Sequence, residues 1–211
     1  MNLPEWLSLA GLCVAGAASP GASLAVVVAA NVSGQRVAGL AAAWAHAFGV
    51  GLYAALTVIG LGAIVTTNQT VFTGLQCIGA FYLLWLAFGM WCSATSDRTA
   101  SAKPSVAATR TLLAARDGFA VAFLNPKLAV FMLALFSQFI KPDAGRWDGA
   151  LMIATATVID GLWYTLVTLM LHRGNWIARL QNNAAALDRV FGALLAGVAC
   201  LILWRALSAM L

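Results

Sequence analysis

Three side chains sit at cost in the apolar stretches that hold them: His46 in "WAHAFGVG", Lys127 in "FLNPKLAVF" and Asp160 in "TVIDGLWY". If such a stretch crosses a bilayer, a central charge costs on the order of 2.5–3.5 kcal/mol even on the lenient insertion scale, so it faces a partner or a polar cavity. Lys127 and Asp160 are opposite in sign, and two arrangements fit them. Either they form a salt bridge that locks one helix to the next, or they line a cavity in which Lys127 holds a carboxylate and Asp160 an ammonium group or a proton. Histidine changes charge near neutral pH, so His46 is a candidate, with Asp160, for a proton path. A lone histidine in a glycine-rich helix serves equally as a hydrogen bond across to a neighbour.

Two dipeptides add a second kind of chemistry: Ser19-Pro20, followed by Gly21, and Asn125-Pro126. Proline inside a helix removes a hydrogen bond and clashes with the carbonyl four residues back. Serine and asparagine are good N-caps and proline is favoured at the first helical position, so each pair spells the start of a new half-helix. Gly21 allows another backbone or a ligand to approach closely. The N–H groups and positive dipole end of such a half-helix suit an anionic group such as a carboxylate. A simple kink is the alternative, since proline and glycine are common in membrane helices. Ser19, Pro20, Gly21, Asn125, Pro126, Lys127 and Asp160 are therefore the candidate binding residues, with Asp160 and His46 the candidates for proton coupling.

The elements that must position these residues follow from composition. The chain has 211 residues, 62% of them hydrophobic and 9% charged, where a soluble domain carries about 25% charged residues. An all-α integral membrane protein is implied. A bilayer core of about 30 Å takes roughly 20 apolar residues per helix, and six windows fit, at 3–30, 38–65, 70–92, 118–140, 147–171 and 188–210. The first has no basic leader and carries Glu5, so it reads as a permanent helix rather than a signal peptide. The small residues Gly39, Ala43, Ala47 and Gly51 form an i+4 stripe suited to close helix packing.

The one long connection, residues 93–117, is rich in Ser, Ala, Thr and basic residues and separates two three-helix halves, 1–92 and 118–211. Each half carries three marks in the same order: the proline dipeptide, then Gly51-Leu52-Tyr53 or Gly161-Leu162-Trp163, then Ile78-Gly79-Ala80 or Phe191-Gly192-Ala193. An odd number of helices per repeat turns the halves upside down relative to each other, the plan of many secondary transporters. The expected fold is thus six transmembrane helices as two inverted three-helix repeats, with helices 1 and 4 broken at proline. At about 1.5 Å rise per residue, Pro20 lies roughly 15 Å from the cytoplasmic end of its span, Lys127 roughly 14 Å, Asp160 roughly 16 Å and His46 roughly 12 Å. These residues share one layer near the midplane.

The net charge of +5 reads as a topology signal rather than a nucleic-acid footprint. Arg36, Arg98, Lys103, Arg110, Arg116, Arg173, Arg179 and Arg189 fall on one side of an alternating six-helix chain, and Lys141, Arg146 and Arg205 on the other. The positive-inside rule puts the first group and the 93–117 linker in the cytoplasm and both termini outside. The four cysteines, Cys13, Cys77, Cys92 and Cys200, are scattered without a C-x-x-C pair. They suggest no zinc site, no metal site and no thiol relay, and no cofactor is indicated.

The segments "SPGASLAVVVAANVSGQRVAGLAAA", "GAFYLLWLAFGMW" and above all "GFAVAFLNPKLAVFMLALFSQF" resemble the LysE/RhtB family of bacterial amino-acid exporters. The resemblance covers nearly the whole chain. It implies a six-helix inner-membrane carrier that exports amino acids or close derivatives on the proton or charge gradient, with no enzymatic activity. The family's first motif reads Pro-Gly-Pro, often followed by an acidic residue. Here Ala22 and Ser23 take those positions, which speaks against a strongly cationic substrate. The implied partners are a small zwitterion and the lipid bilayer, with a homo-oligomer left open. Rival readings are an intramembrane hydrolase, which lacks a serine motif beside His46 and Asp160; a thiol-electron carrier, which lacks paired cysteines; and an exporter of another small solute or a metal ion, which lacks a His- or acid-rich loop.

Overall fold

In a computed structural model of the chain, residues 1–19, 21–33, 36–93, 111–141 and 145–171 are described, with scattered helical positions between 186 and 204. The regular elements among them are all α-helices: α1 (Leu3–Ala18), α2 (Ala22–Ser33), α3 (Arg36–Thr67), α4 (Gln69–Ser93), α5 (Thr111–Phe123), α6 (Pro126–Phe136) and α7 (Arg146–Met170). Three of the spans are single helices long and apolar enough to cross a membrane: Arg36–Thr67, Thr70–Gly89 and Trp147–Met170. Two more are bent pairs, α1 with α2 at 62° and α5 with α6 at 57°. The expected sixth span, 188–210, lies largely outside the described residues. So do Pro20 and most of the 93–117 linker.

Local sequence explains the helix ends. Asn2 accepts a hydrogen bond from the Glu5 N–H, and the Glu5 carboxylate accepts one from the Asn2 N–H, a reciprocal cap that starts α1. At α6 the Asn125 side chain accepts from the Lys127 and Leu128 N–H groups, with Pro126 in the first helical turn. α5 starts at Thr111, seven residues before the apolar window that marks its span. The window stops at Arg116 and Asp117, whereas the helix needs only backbone hydrogen bonds and carries those charges on its emerging end.

The central element is α3, which packs against α2, α4, α5, α6 and α7. Helices in lipid gain nothing from hiding apolar surface from one another, so close contact depends on small residues. Ala38, Ala42, Ala43, Ala47 and Ala54 are accordingly buried along α3. A Cβ on Gly118 of α5 would run into the Ala42 carbonyl, and one on Gly49 would come within 2.8 Å of the Ala122 methyl. Gly51 lies against Thr157, and Gly161 against the Trp44 ring, where α3 meets α7. Outside this centre, α4 turns Ile78, Phe81, Trp85 and Phe88 outward, a face suited to lipid. Its other face packs on α6, where the Gln76 amide donates to the Ser137 carbonyl at 2.6 Å.

The chain's first residues and the α6–α7 turn share one end of the bundle. The Met1 ammonium lies 2.8 Å from the Asp148 carboxylate, and Lys141 Nζ lies 2.7 Å from the Glu5 carboxylate. An exposed ion pair contributes about 0–1 kcal/mol, so the Lys141–Glu5 contact reports geometry more than stability. α3 packs on both α5 and α6, while α7 packs on both α1 and α2.

Candidate functional site

Both bends open onto one cavity of about 110 Å³, room for several waters or a solute of a few heavy atoms. Around it stand the end of α1 (Cys13, Gly16, Ser19), the start of α2 (Gly21, Ala22, Ser23), the start of α6 (Lys127, Leu128, Phe131) and inward residues of α3 and α7 (His46, Val50, Asp160, Tyr164). Asn125 lies at the second bend, and Leu195 reaches the cavity from the C-terminal region. The structure thus brings Ser19, Gly21, Asn125, Lys127, His46 and Asp160 to one place. Of the residues singled out in the sequence, Pro20 lies outside the described ones and Pro126 is in the first turn of α6.

Asp160 is 7% exposed and His46 1% exposed. Depth alone pairs Asp160 with Lys127; the structure sets His46 Nδ1 2.8 Å from Asp160 Oδ2, while the exposed Lys127 lines the same cavity from α6. Whichever of the two carries the proton, one donates to the other across this contact; with an ionised carboxylate, which only accepts, the donor is Nδ1–H. The other ring nitrogen, Nε2, is buried without a hydrogen-bond partner among the described residues. The Tyr164 ring meets the imidazole edge-on, with centroids 5.1 Å apart.

The two bends are not equivalent as anion sites. At α6 the Lys127 and Leu128 N–H groups already donate to Asn125 Oδ1, and Ala129 N–H donates to the Asn125 carbonyl. Its N-terminal donors are thus spent on the cap, contrary to the expectation that they face a ligand, and α6 offers the cavity its dipole and the Lys127 side chain. At α2 the first intrahelical bond runs from Ala25 N–H to the Gly21 carbonyl, which places Ala22 and Ser23 in the first turn at the cavity wall. A Cβ on Gly21 would meet no protein atom within 4 Å; the space beside it is the cavity itself.

Sequence reasoning missed Tyr164, Cys13, Ser23 and the apolar wall of Phe131 and Met132. Tyr164 adjoins the Gly161-Leu162-Trp163 mark and is buried; its hydroxyl in an apolar helix was the available signal. Among the described residues no group of three His, Cys, Asp or Glu side chains gathers to hold a metal ion.

The sequence profile of LysE type translocators matches residues 14–205. The chain belongs to that family, the LysE/RhtB family, and is a multi-pass membrane protein. It is 32% identical to a homoserine/homoserine lactone efflux protein of Salmonella typhi, over 73% of this chain and 74% of the relative. It is 25% identical to the threonine efflux protein of Escherichia coli, over 91% and 94%. A membrane protein of Vibrio cholerae named only as uncharacterized shares 29% identity over 96% and 98%. No solved structure matches the translocator.

Proposed function

We propose that this LysE type translocator is a proton-coupled secondary exporter of amino acids or close derivatives in a bacterial inner membrane. In this reading it is built as two inverted three-helix repeats whose first helices are broken at Pro20 and Pro126. The observation that carries the proposal is the convergence of both bends on one cavity that also holds the buried His46–Asp160 pair. The end of α1 and the starts of α2 and α6 line it, one negative and two positive dipole ends. The carboxylate of a zwitterion is held by the start of α2 and Lys127, and its ammonium group by the end of α1 together with Asp160. Relatives named for efflux of homoserine and threonine support this size and charge of substrate. His46 Nε2 accepts the coupling proton, and Asp160 stabilises the imidazolium that forms.

Cross-packing of α3 on α5 and α6, and of α7 on α1 and α2, supports the inverted repeat. The eight-to-three division of basic residues favours a cytoplasmic linker and outward termini. The relatives named for efflux support transport over catalysis.

The test is efflux of labelled homoserine, threonine and leucine from proteoliposomes containing the purified translocator, with and without an imposed pH gradient. Gradient-stimulated movement of at least one of the three supports the proposal. Movement of none, in vesicles shown to contain folded protein, contradicts it.

A further inference from the structure

The two bends share a hydrogen-bonding pattern that reaches across the repeats. Ser19 N–H is shared between the Ala15 carbonyl at 3.1 Å and, three residues back, the Gly16 carbonyl at 3.4 Å, and Asn125 N–H donates three residues back to the Ala122 carbonyl at 3.3 Å. In each case the next carbonyl, Ala17 or Phe123, lies three residues before the proline and loses its normal helical donor. For Phe123 that donor would be Lys127 N–H, which is bonded to Asn125 instead. For Ala17 it would be Gly21 N–H, which precedes the start of α2. A carbonyl stranded at membrane depth must find another partner. Both find a tyrosine. Tyr164 on α7 donates its hydroxyl to the Ala17 carbonyl at 3.2 Å, and Tyr53 on α3 donates to the Phe123 carbonyl at 2.8 Å.

The donors are exchanged between halves: the tyrosine of the second half serves the bend of the first, and that of the first serves the bend of the second. Ser23, in the first turn of α2, lines the same cavity as Tyr164. The Tyr53 ring lies tilted against the Phe123 ring, centroids 5.3 Å apart at 34°, which constrains its approach to the carbonyl.

We infer that Tyr53 and Tyr164 are reciprocal positioning residues, each holding the stranded carbonyl of the other repeat's bend so that the half-helix ends keep their aim at the substrate cavity. The inference rests on the exporter reading for its link to transport but not for its structural content, and the experiment separates the two. Tyr53→Phe and Tyr164→Phe remove one hydroxyl each and keep the rings. Hydrogen exchange on the full-length protein in lipid nanodiscs reads the bends directly, and labelled threonine, homoserine and leucine in proteoliposomes read transport.

Tyr164→Phe is expected to speed exchange about fivefold in residues 17–25 while leaving 123–131 unchanged, and Tyr53→Phe to do the reverse. Each is expected to raise the half-saturating concentration of the transported probe more than it lowers the maximal rate. Exchange that rises uniformly, or only in the tyrosine's own helix, would show mere structural support and overturn the inference. Exchange unchanged at the opposite bend would overturn it as well. If the unsubstituted protein moves none of the probes, the exporter reading fails, and the crossed exchange pattern still decides the positioning role.

Discussion

At the scale of single residues, the pair that matters joins two helices. His46 and Asp160 are both buried and hydrogen-bonded, and a pair of this kind is costly to break because one partner is left unsatisfied in low dielectric. His46→Asn places an amide N–H where Nδ1–H was, so the bond to Asp160 and the fold are expected to persist. The variant cannot take up a proton, so its transport is expected to lose dependence on pH between about 5 and 8, measured as initial efflux rate across that range. A profile like that of the unsubstituted protein would exclude His46 as the proton acceptor. The sequence marked all three charged or titratable residues and their common depth. It did not show that Asp160 meets His46, because depth along a helix says nothing about which way a side chain points around it.

At the scale of elements, the bends and the central crossing each rest on a few atoms. Asn125→Ala removes the acceptor for two N–H groups at the start of α6, and a loss of about 1 kcal/mol is expected, read by thermal unfolding in detergent. Asn125→Asp, which can still accept both bonds, is expected to lose less. Gly118→Ala pushes a methyl group into the Ala42 carbonyl, so overpacking is expected to cost about 1–3 kcal/mol, while Gly11→Ala, with open space around it, is expected to be neutral. Equal effects of the two glycine changes would contradict the close α3–α5 contact. The asparagine cap could be read from "FLNPK" because Asn-Pro fixes both a side-chain acceptor and a missing donor in sequence. The start of α5 could not, since a hydropathy window registers apolar content and this helix runs beyond it. Neither could the tyrosine contacts, which link residues more than 65 positions apart.

At the scale of the whole molecule, the account makes one statement about orientation and one about energy. A single cysteine placed at Ser101, in a background lacking the four native cysteines, is expected to stay unlabelled by an impermeant maleimide in intact cells and to label after lysis. Labelling in intact cells would invert the topology drawn from the basic residues. The two bends were legible near Ser19-Pro20 and Asn125-Pro126 because helix-breaking and capping residues are written locally. The way the halves interlock, α3 across α5 and α6 and α7 across α1 and α2, is long-range packing that no local pattern encodes. The central claim is that the cavity between the bends couples an amino acid to a proton through Asp160. The most direct measurement compares gradient-driven accumulation with gradient-free exchange of a probe that the unsubstituted translocator moves, in proteoliposomes carrying matched amounts of that protein or Asp160→Asn. Asp160→Asn, which weakens the hold on the ammonium group, is predicted to exchange the probe only at a raised half-saturating concentration and no longer to accumulate it on a pH gradient; accumulation equal to that of the unsubstituted protein would contradict the claim.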